Sequence, residues 1–273
     1  MGNLIRAEFY RIRCQRWGFY GLVGAVLGGV VLLTLLCGFP PQLGDAALLF
    51  QTIEYSAILG MVLAVPCADL ASARVEGRQV LLKNEAVFGI PRWQMYLSRL
   101  FTALLLGVGL VAAMSALALI LALIYLPGID QLPQILPRYA LLMLTALPLW
   151  MASAGLFLCL KFVFRSGAAA GALVAFYYLV GFPVIGAAAT VIPSDTGKPG
   201  PISTLLYALH PMTPFWNGDM VIEGIDTGIS ITLTPEAFVD VPPPMLYCWA
   251  VGLVWLIGTS IVAIVFLQRR ELR

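Results

Sequence analysis

Few side chains in this sequence have chemistry to offer, and their spacing assembles no familiar reaction centre. The one histidine, His210, stands in the tract HPMTP. A hydrolase needs a nucleophile with a base to activate it, or a metal held by convergent ligands. A single histidine with no HExxH and no carboxylates at ligand spacing supplies neither. Beside a proline, His210 reads as a turn or interfacial residue. The Gly197-Lys198 pair is followed by Pro199, so no GxxxxGK[ST] loop exists to cradle nucleotide phosphates. The five cysteines, Cys14, Cys37, Cys67, Cys159 and Cys248, show no CxxC or other metal spacing. No metal or disulfide framework is expected from them. Cys37 and Cys248 both fall toward the outer surface, which leaves a bridge between them as the one pairing to weigh. No catalytic residue, metal or resident cofactor is therefore assigned, and nucleic acid is not an expected partner.

The groups that invite a role are carried on apolar elements. The chain is 60% hydrophobic and 11% charged, with a mean hydropathy of +0.92 over 273 residues. A water-soluble domain of that size exposes far more charge, so composition points to an integral membrane protein. Apolar runs of membrane-spanning length fall at about 17–37, 48–70, 100–126, 139–160, 167–192 and 245–267. The first run is too long, and lacks the small-residue cleavage pattern, for a signal peptide, and is read as a retained helix. Ahead of it, residues 3–16 place Leu4, Ile5, Phe9 and Ile12 at helical spacing. Arg6, Glu8, Arg11, Arg13 and Arg16 occupy other faces, as in a helix lying in the headgroup plane. Pro127 to Arg138 carries three prolines and reads as a turn without continuous helix.

Six spans put both termini on one side, and the basic residues say which. Assigning that side to the cytoplasm gives it fourteen Lys and Arg against two, Arg138 and Lys198, on the other. That is a strong positive-inside bias. Six acidic residues lie in the last outer loop, 193–244, so an anionic ligand is not drawn there by simple charge. The expected fold is an all-α integral membrane protein with six transmembrane helices and an N-terminal interfacial amphipathic helix. A cytoplasmic coupling helix lies between spans two and three, and both termini are cytoplasmic.

Glu54, inside the second span, has three readings: facing an aqueous substrate pathway, snorkelling to the headgroups, or hydrogen-bonding a neighbouring helix. Pro66 removes a backbone bond and bends the inner end of that span. The polar interval 72–99 is the longest on the cytoplasmic side. Asp69 or Ser72 can cap a helix running to about Phe88. Along it Arg74, Glu76, Arg78, Lys83 and Glu85 alternate in sign, and Val75, Val80, Leu81 and Leu82 offer apolar contacts. Gly89 to Pro91 breaks it, and Arg92, Trp93, Tyr96 and Arg99 form an aromatic and basic girdle, with 91–99 as a hinge into the third span. The alternative for 72–99 is an ordinary solvated loop. Small-residue faces at Gly24 and Gly28, and at Gly167 and Gly171, allow another backbone close approach, within the chain or in a dimer.

The order of these features resembles the permease subunits of ABC type-2 exporters. The resemblance rests on the basic amphipathic start, on Glu76-Gly77 followed by Leu81-Leu82, then Pro91-Arg92 and Arg99, and on the short basic end Arg269-Arg270-Glu271-Leu272. It covers the whole chain in topology as a single permease domain, 1–273, and is nearest to lantibiotic-immunity and bacitracin-resistance permeases. What the resemblance implies is a bacterial plasma-membrane subunit with no enzymatic activity of its own. Its partners would be a separate ABC ATP-binding subunit, which holds ATP and magnesium, and a second permease, identical or paralogous, among membrane lipids. The ATP-binding subunit would dock on Arg74, Glu76, Gly77, Arg78, Leu81, Leu82, Pro91 and Arg92. Spans one, two and five would line the pathway, and part of the last outer loop would fold back toward the membrane. The residues themselves also admit a secondary carrier using Glu54, or a membrane assembly or sensing protein that moves nothing.

Overall fold

A computed structural model of the chain describes residues 2–14, 16–38, 56–72, 89–125, 132–164, 166–181, 184, 185, 188, 201–210 and 245–269, and among them it is helical with no strand. Helix α1 is Gly2–Cys14, α2 Arg16–Gly38, α3 Ser56–Ala71 and α4 Arg92–Tyr125. Helix α5 is Leu132–Phe164, and α6 is Gly167–Phe176, running into a π-helical turn at Tyr177–Gly181. Short α7 is Pro201–Ala208, and α8 is Met245–Arg269. Apolar chain in lipid has no water to satisfy its N–H and C=O groups, so each run closes its own i to i−4 bonds. Among the described residues four helices are long and apolar enough to cross a membrane: Trp17–Leu35, Arg92–Ile124, Tyr139–Phe164 and Met245–Arg269. Two shorter apolar helices, Gly60–Ala71 and Gly167–Gly181, lie among them. This is the architecture of a multi-pass membrane protein. Glu54 and the docking positions Arg74, Glu76, Gly77, Arg78, Leu81 and Leu82 lie outside the described residues.

Helix α5 is the hub. Sixty-one per cent of its apolar window is buried, against 11% for α2, and its most extensive packing is with α8 and then α3. Isolated glycines permit that closeness. A β-carbon at Gly60 would strike the Trp150 ring, one at Gly155 would meet Thr259 Oγ1, and one at Gly252 would lie 2.6 Å from the carbonyl carbon of Pro148. The paired glycines behave differently. A β-carbon at Gly24, Gly28 or Gly171 would meet nothing within 4 Å. Among the described residues those positions are not where backbones approach.

Two local expectations are corrected, and one pairing left open is answered. Helix α5 begins at Leu132, inside the stretch read as a turn, and takes in Pro133 and Pro137. A proline in the first helical turn loses no intrahelical bond, because the N–H there has no acceptor in any case, and Pro137 gives up one bond on an exposed face. The hinge read at 91–99 is confined to Gly89–Pro91. Gly89 has φ 75°, a left-handed conformation suited to glycine, and Arg92–Arg99 already forms the first turns of α4. At 34 residues α4 runs about 50 Å, longer than a hydrocarbon core of ~30 Å, so those first turns extend beyond the span itself. Finally, Cys248 is a free, buried thiol, so the Cys37–Cys248 bridge is not made.

Candidate functional site

One end of the bundle gathers α1, the end of α3, the start of α4 and the ends of α5 and α8, and with them most of the described charges. We call it the basic end. Its largest wholly buried side chains include Ile12, Met95, Tyr96, Leu158 and Leu267, one or more from each of α1, α4, α5 and α8. The expected girdle divides here. Trp93 is exposed, whereas Tyr96 and Arg99 turn inward and are buried. On α4 the stripe of residues 95, 96, 99, 102 and 103 faces the core at helical spacing, and this sets their direction. Tyr96 packs on the Phe162 ring at 6.0 Å and shares a 3.2 Å hydrogen bond with Ser260 of α8.

Glu8 is the first residue the helical sorting misplaced. It was read on a polar face, yet it is buried beside Ile12, because α1 packs its 4, 5, 8, 11, 12 face against α4. Its carboxylate pairs with Arg11 one turn on and lies 3.5 Å from Arg99 Nε. Arg11 also donates to the Ala71 carbonyl at the end of α3, at 2.9 Å. Arg99 stands over the Phe162 ring of α5, 5.8 Å from its centroid. A carboxylate removed from water is tolerated only when cations and donors replace the lost hydration, and two guanidiniums do so here. Glu8→Ala is accordingly expected to loosen α1, costing about 2 kcal/mol and exposing residues 2–14 to protease, with Glu8→Gln milder. Unchanged protease protection of α1 would contradict that role.

The second polar node is Lys161. This buried lysine on α5 donates to the Asp69 carboxylate, to the Asp69 carbonyl and to the Ser72 hydroxyl, and its ammonium lies over the Phe157 ring. Sequence reading used Asp69 or Ser72 only as a helix cap. The pairing of Asp69 with Lys161 spans 92 residues, and no local pattern announces it. The third node is Arg92, which with Pro91 makes up the docking candidates among the described residues. Its Nη1 donates to the Leu267 and Gln268 carbonyls, at 2.8 and 2.5 Å, and so caps the last turn of α8. Pro91 stands exposed just ahead of it.

These three nodes have a common geometry. The chain leaves α3 at Ser72, tied to α5 through Lys161, and returns at Arg92, tied to α8. Two turns further on, Arg99 ties α4 to α1. The interval between is therefore fastened at both ends to different helices. The groups are cations paired with carboxylates or carbonyls, an arrangement that holds and transmits position and offers no nucleophile beside a base. Among the described residues no three His, Cys, Asp or Glu side chains come together as a metal site.

His210 lies elsewhere, against the π-helical turn. It is wholly buried, stacked on Tyr177 at 4.4 Å and edge-on to Tyr178 at 4.9 Å. Its Nε2 donates to the Tyr177 carbonyl at 3.2 Å. No protein-family model matches the chain, and no curated protein matches it.

Proposed function

We propose that this chain is the membrane subunit of an ATP-driven exporter, moving a hydrophobic or amphipathic compound such as an antimicrobial peptide, an antibiotic or a lipid-like molecule out of the cell. In this reading the chain makes six spans in a bacterial plasma membrane with both termini in the cytoplasm. The basic end faces the cytoplasm, in keeping with the fourteen-to-two distribution of basic residues. The chain performs no covalent chemistry. A separate ATP-binding subunit docks on 72–99, and a second permease completes the pathway.

The observation that carries the proposal is the fastening of that interval. A push on a loop anchored at one point moves only the loop. A push on a segment tied to α5 by Lys161, to α8 by Arg92 and to α1 by Arg99 moves packed helices as bodies. Such leverage is what a subunit without a nucleotide site requires. Taking the pathway from 1:99 to 99:1 between two access states requires about 5.5 kcal/mol of differential binding, delivered through this contact.

Copurification tests it. With Glu76, Arg78 and Arg92 replaced by alanine, the ATP-binding subunit encoded nearby is expected to be lost from the purified permease. Its retention at wild-type stoichiometry would sink the docking assignment.

A further inference from the structure

The contacts of helix α1 fix its depth in the bundle. Glu8 lies 3.5 Å from Arg99 Nε, and Arg99 is the residue before the apolar run 100–126. Arg11 donates to the carbonyl of Ala71, the last residue of the apolar helix Gly60–Ala71. In sequence only Gln15 separates Cys14 from α2, whose apolar window opens at Trp17. Three separate apolar segments thus meet α1 at the point where each begins or ends. In a membrane that level is the headgroup layer, where charged and aromatic side chains take over from aliphatic ones.

A helix at that level ordinarily sinks its apolar stripe into the acyl boundary and keeps its charges in water. In α1 that stripe is already covered by protein. Ile12 is wholly buried, and Glu8, the one acid of the helix, is buried with it against α4. The outward face is of another kind. Arg6, Tyr10 and Arg13 recur at i, i+4 and i+7, within about 60° of one another and roughly opposite Glu8 and Ile12. All three are exposed, Tyr10 at 73%. Phe9 beside them and Trp17 at the start of α2 are exposed as well. Among the described residues no carboxylate pairs with Arg6 or Arg13, and the sole acid of α1 is held on the other side by Arg11 and Arg99.

We propose that the Arg6, Tyr10 and Arg13 face of α1 is a binding surface for acidic phospholipid headgroups, such as that of phosphatidylglycerol. Each guanidinium presents a planar fork of donors that matches two phosphate oxygens. The phenol between them offers a ring suited to the acyl boundary and a hydroxyl suited to the headgroup. Phosphatidylcholine carries the same phosphate with a cation of its own, which two arginines repel, so the face discriminates by charge. An acidic protein partner would be met by the same arginines. The headgroup depth of α1, and the exposed rings of Phe9, Tyr10 and Trp17 among its cations, favour the lipid. The proposal needs the membrane-spanning bundle and not the exporter reading. Through Glu8 to Arg99 and Arg11 to Ala71 the lipid-bearing helix is joined to α4 and α3, so a bound headgroup bears on the seating of the whole basic end.

Titration of the detergent-purified full chain with phosphatidylglycerol, followed by native mass spectrometry, gives the affinity directly, with phosphatidylcholine as reference. Wild type is expected to prefer phosphatidylglycerol. Arg6→Gln with Arg13→Gln should cut that preference on the order of thirtyfold, from a roughly fivefold contribution of each basic side chain. Both side chains are exposed, so thermal unfolding of the lipid-free variant should match wild type. If the double variant is not recovered, Arg13→Gln alone carries the fivefold criterion. Excess inorganic phosphate should leave the lipid bound, since the free ion has no glycerol or acyl chain to seat beside Tyr10. Equal affinity of wild type for the two lipids, an unchanged preference in the glutamine variant, or displacement of lipid by phosphate would each overturn the proposal. So would loss of a copurifying ATP-binding subunit from that variant with the lipid preference intact, which would make the face a protein contact.

Discussion

Gly252→Ala is expected to destabilise the bundle by about 3 kcal/mol, the largest effect of a single-methyl addition at any of the described glycines. The added carbon would stand 2.6 Å from the Pro148 carbonyl carbon and 2.7 Å from its oxygen, both backbone atoms. A crowded side chain can change rotamer, but a helix backbone can only translate, and here that means parting α5 from α8 along their most extensive contact. Overpacking in a close-packed interior usually costs 1–3 kcal/mol, and an obstacle that cannot rotate away belongs at the top of that range. Thermal unfolding in detergent, followed by loss of monodisperse protein, gives the measurement. Gly28→Ala is the control, since no atom within 4 Å opposes its added carbon. If both variants melt alike, α8 is not seated on α5 in this way.

The second large effect separates the partners at Lys161. The lysine side chain is 4% exposed and the Asp69 side chain 35%. Removing the carboxylate leaves an ammonium in a dry position, with the Asp69 carbonyl and the Ser72 hydroxyl beside it but without its paired charge. Removing the lysine leaves a carboxylate that water still reaches. The loss of one partner therefore costs more when the survivor is the buried one. Asp69→Ala is expected to cost about 3 kcal/mol and Lys161→Met about 1 kcal/mol, the methionine refilling the apolar volume beside Phe157. A double-mutant cycle completes the test, with the pair Asp69→Ala, Lys161→Met recovering much of the larger loss. Equal single effects would mean that the ammonium finds water and is not held in the core. In the exporter reading either variant also disconnects 72–99 from α5, so transport should fall further than stability does.

Much of this architecture is legible from residue types alone. The apolar runs that begin at Trp17, Leu100, Tyr139 and Met245 all lie within long helices, because lipid-length apolarity leaves a chain no alternative to helix. Glu8 shows where sorting by polarity fails. It lies four residues from both Leu4 and Ile12, on their stripe, and spacing alone could have placed it inward had its charge not been given the casting vote. The glycines were misleading in another way. The GxxxG pattern drew attention to Gly24 and Gly28, whereas the close approaches belong to solitary glycines at 60, 155 and 252, each opposite a bulky or rigid partner that only tertiary structure supplies. Lys161 with Asp69, and the Trp255 indole with the Ala208 carbonyl, join residues far apart in sequence, and nothing in either local tract specifies the other. The π-helical turn at Tyr177–Gly181 likewise has no signature in its residues.

The hub position of α5 also sets a timetable for biogenesis. Its surfaces are covered chiefly by α3, made earlier, and by α8, which the ribosome delivers more than eighty residues later. Until α8 arrives, a helix interrupted by Pro148 and carrying Ser153 and Lys161 must stand in the bilayer with one flank open. Nascent chains stopped short of Met245 should therefore linger beside the insertion machinery or its chaperones, and the arrival of α8 is the step that closes the open flank of α5.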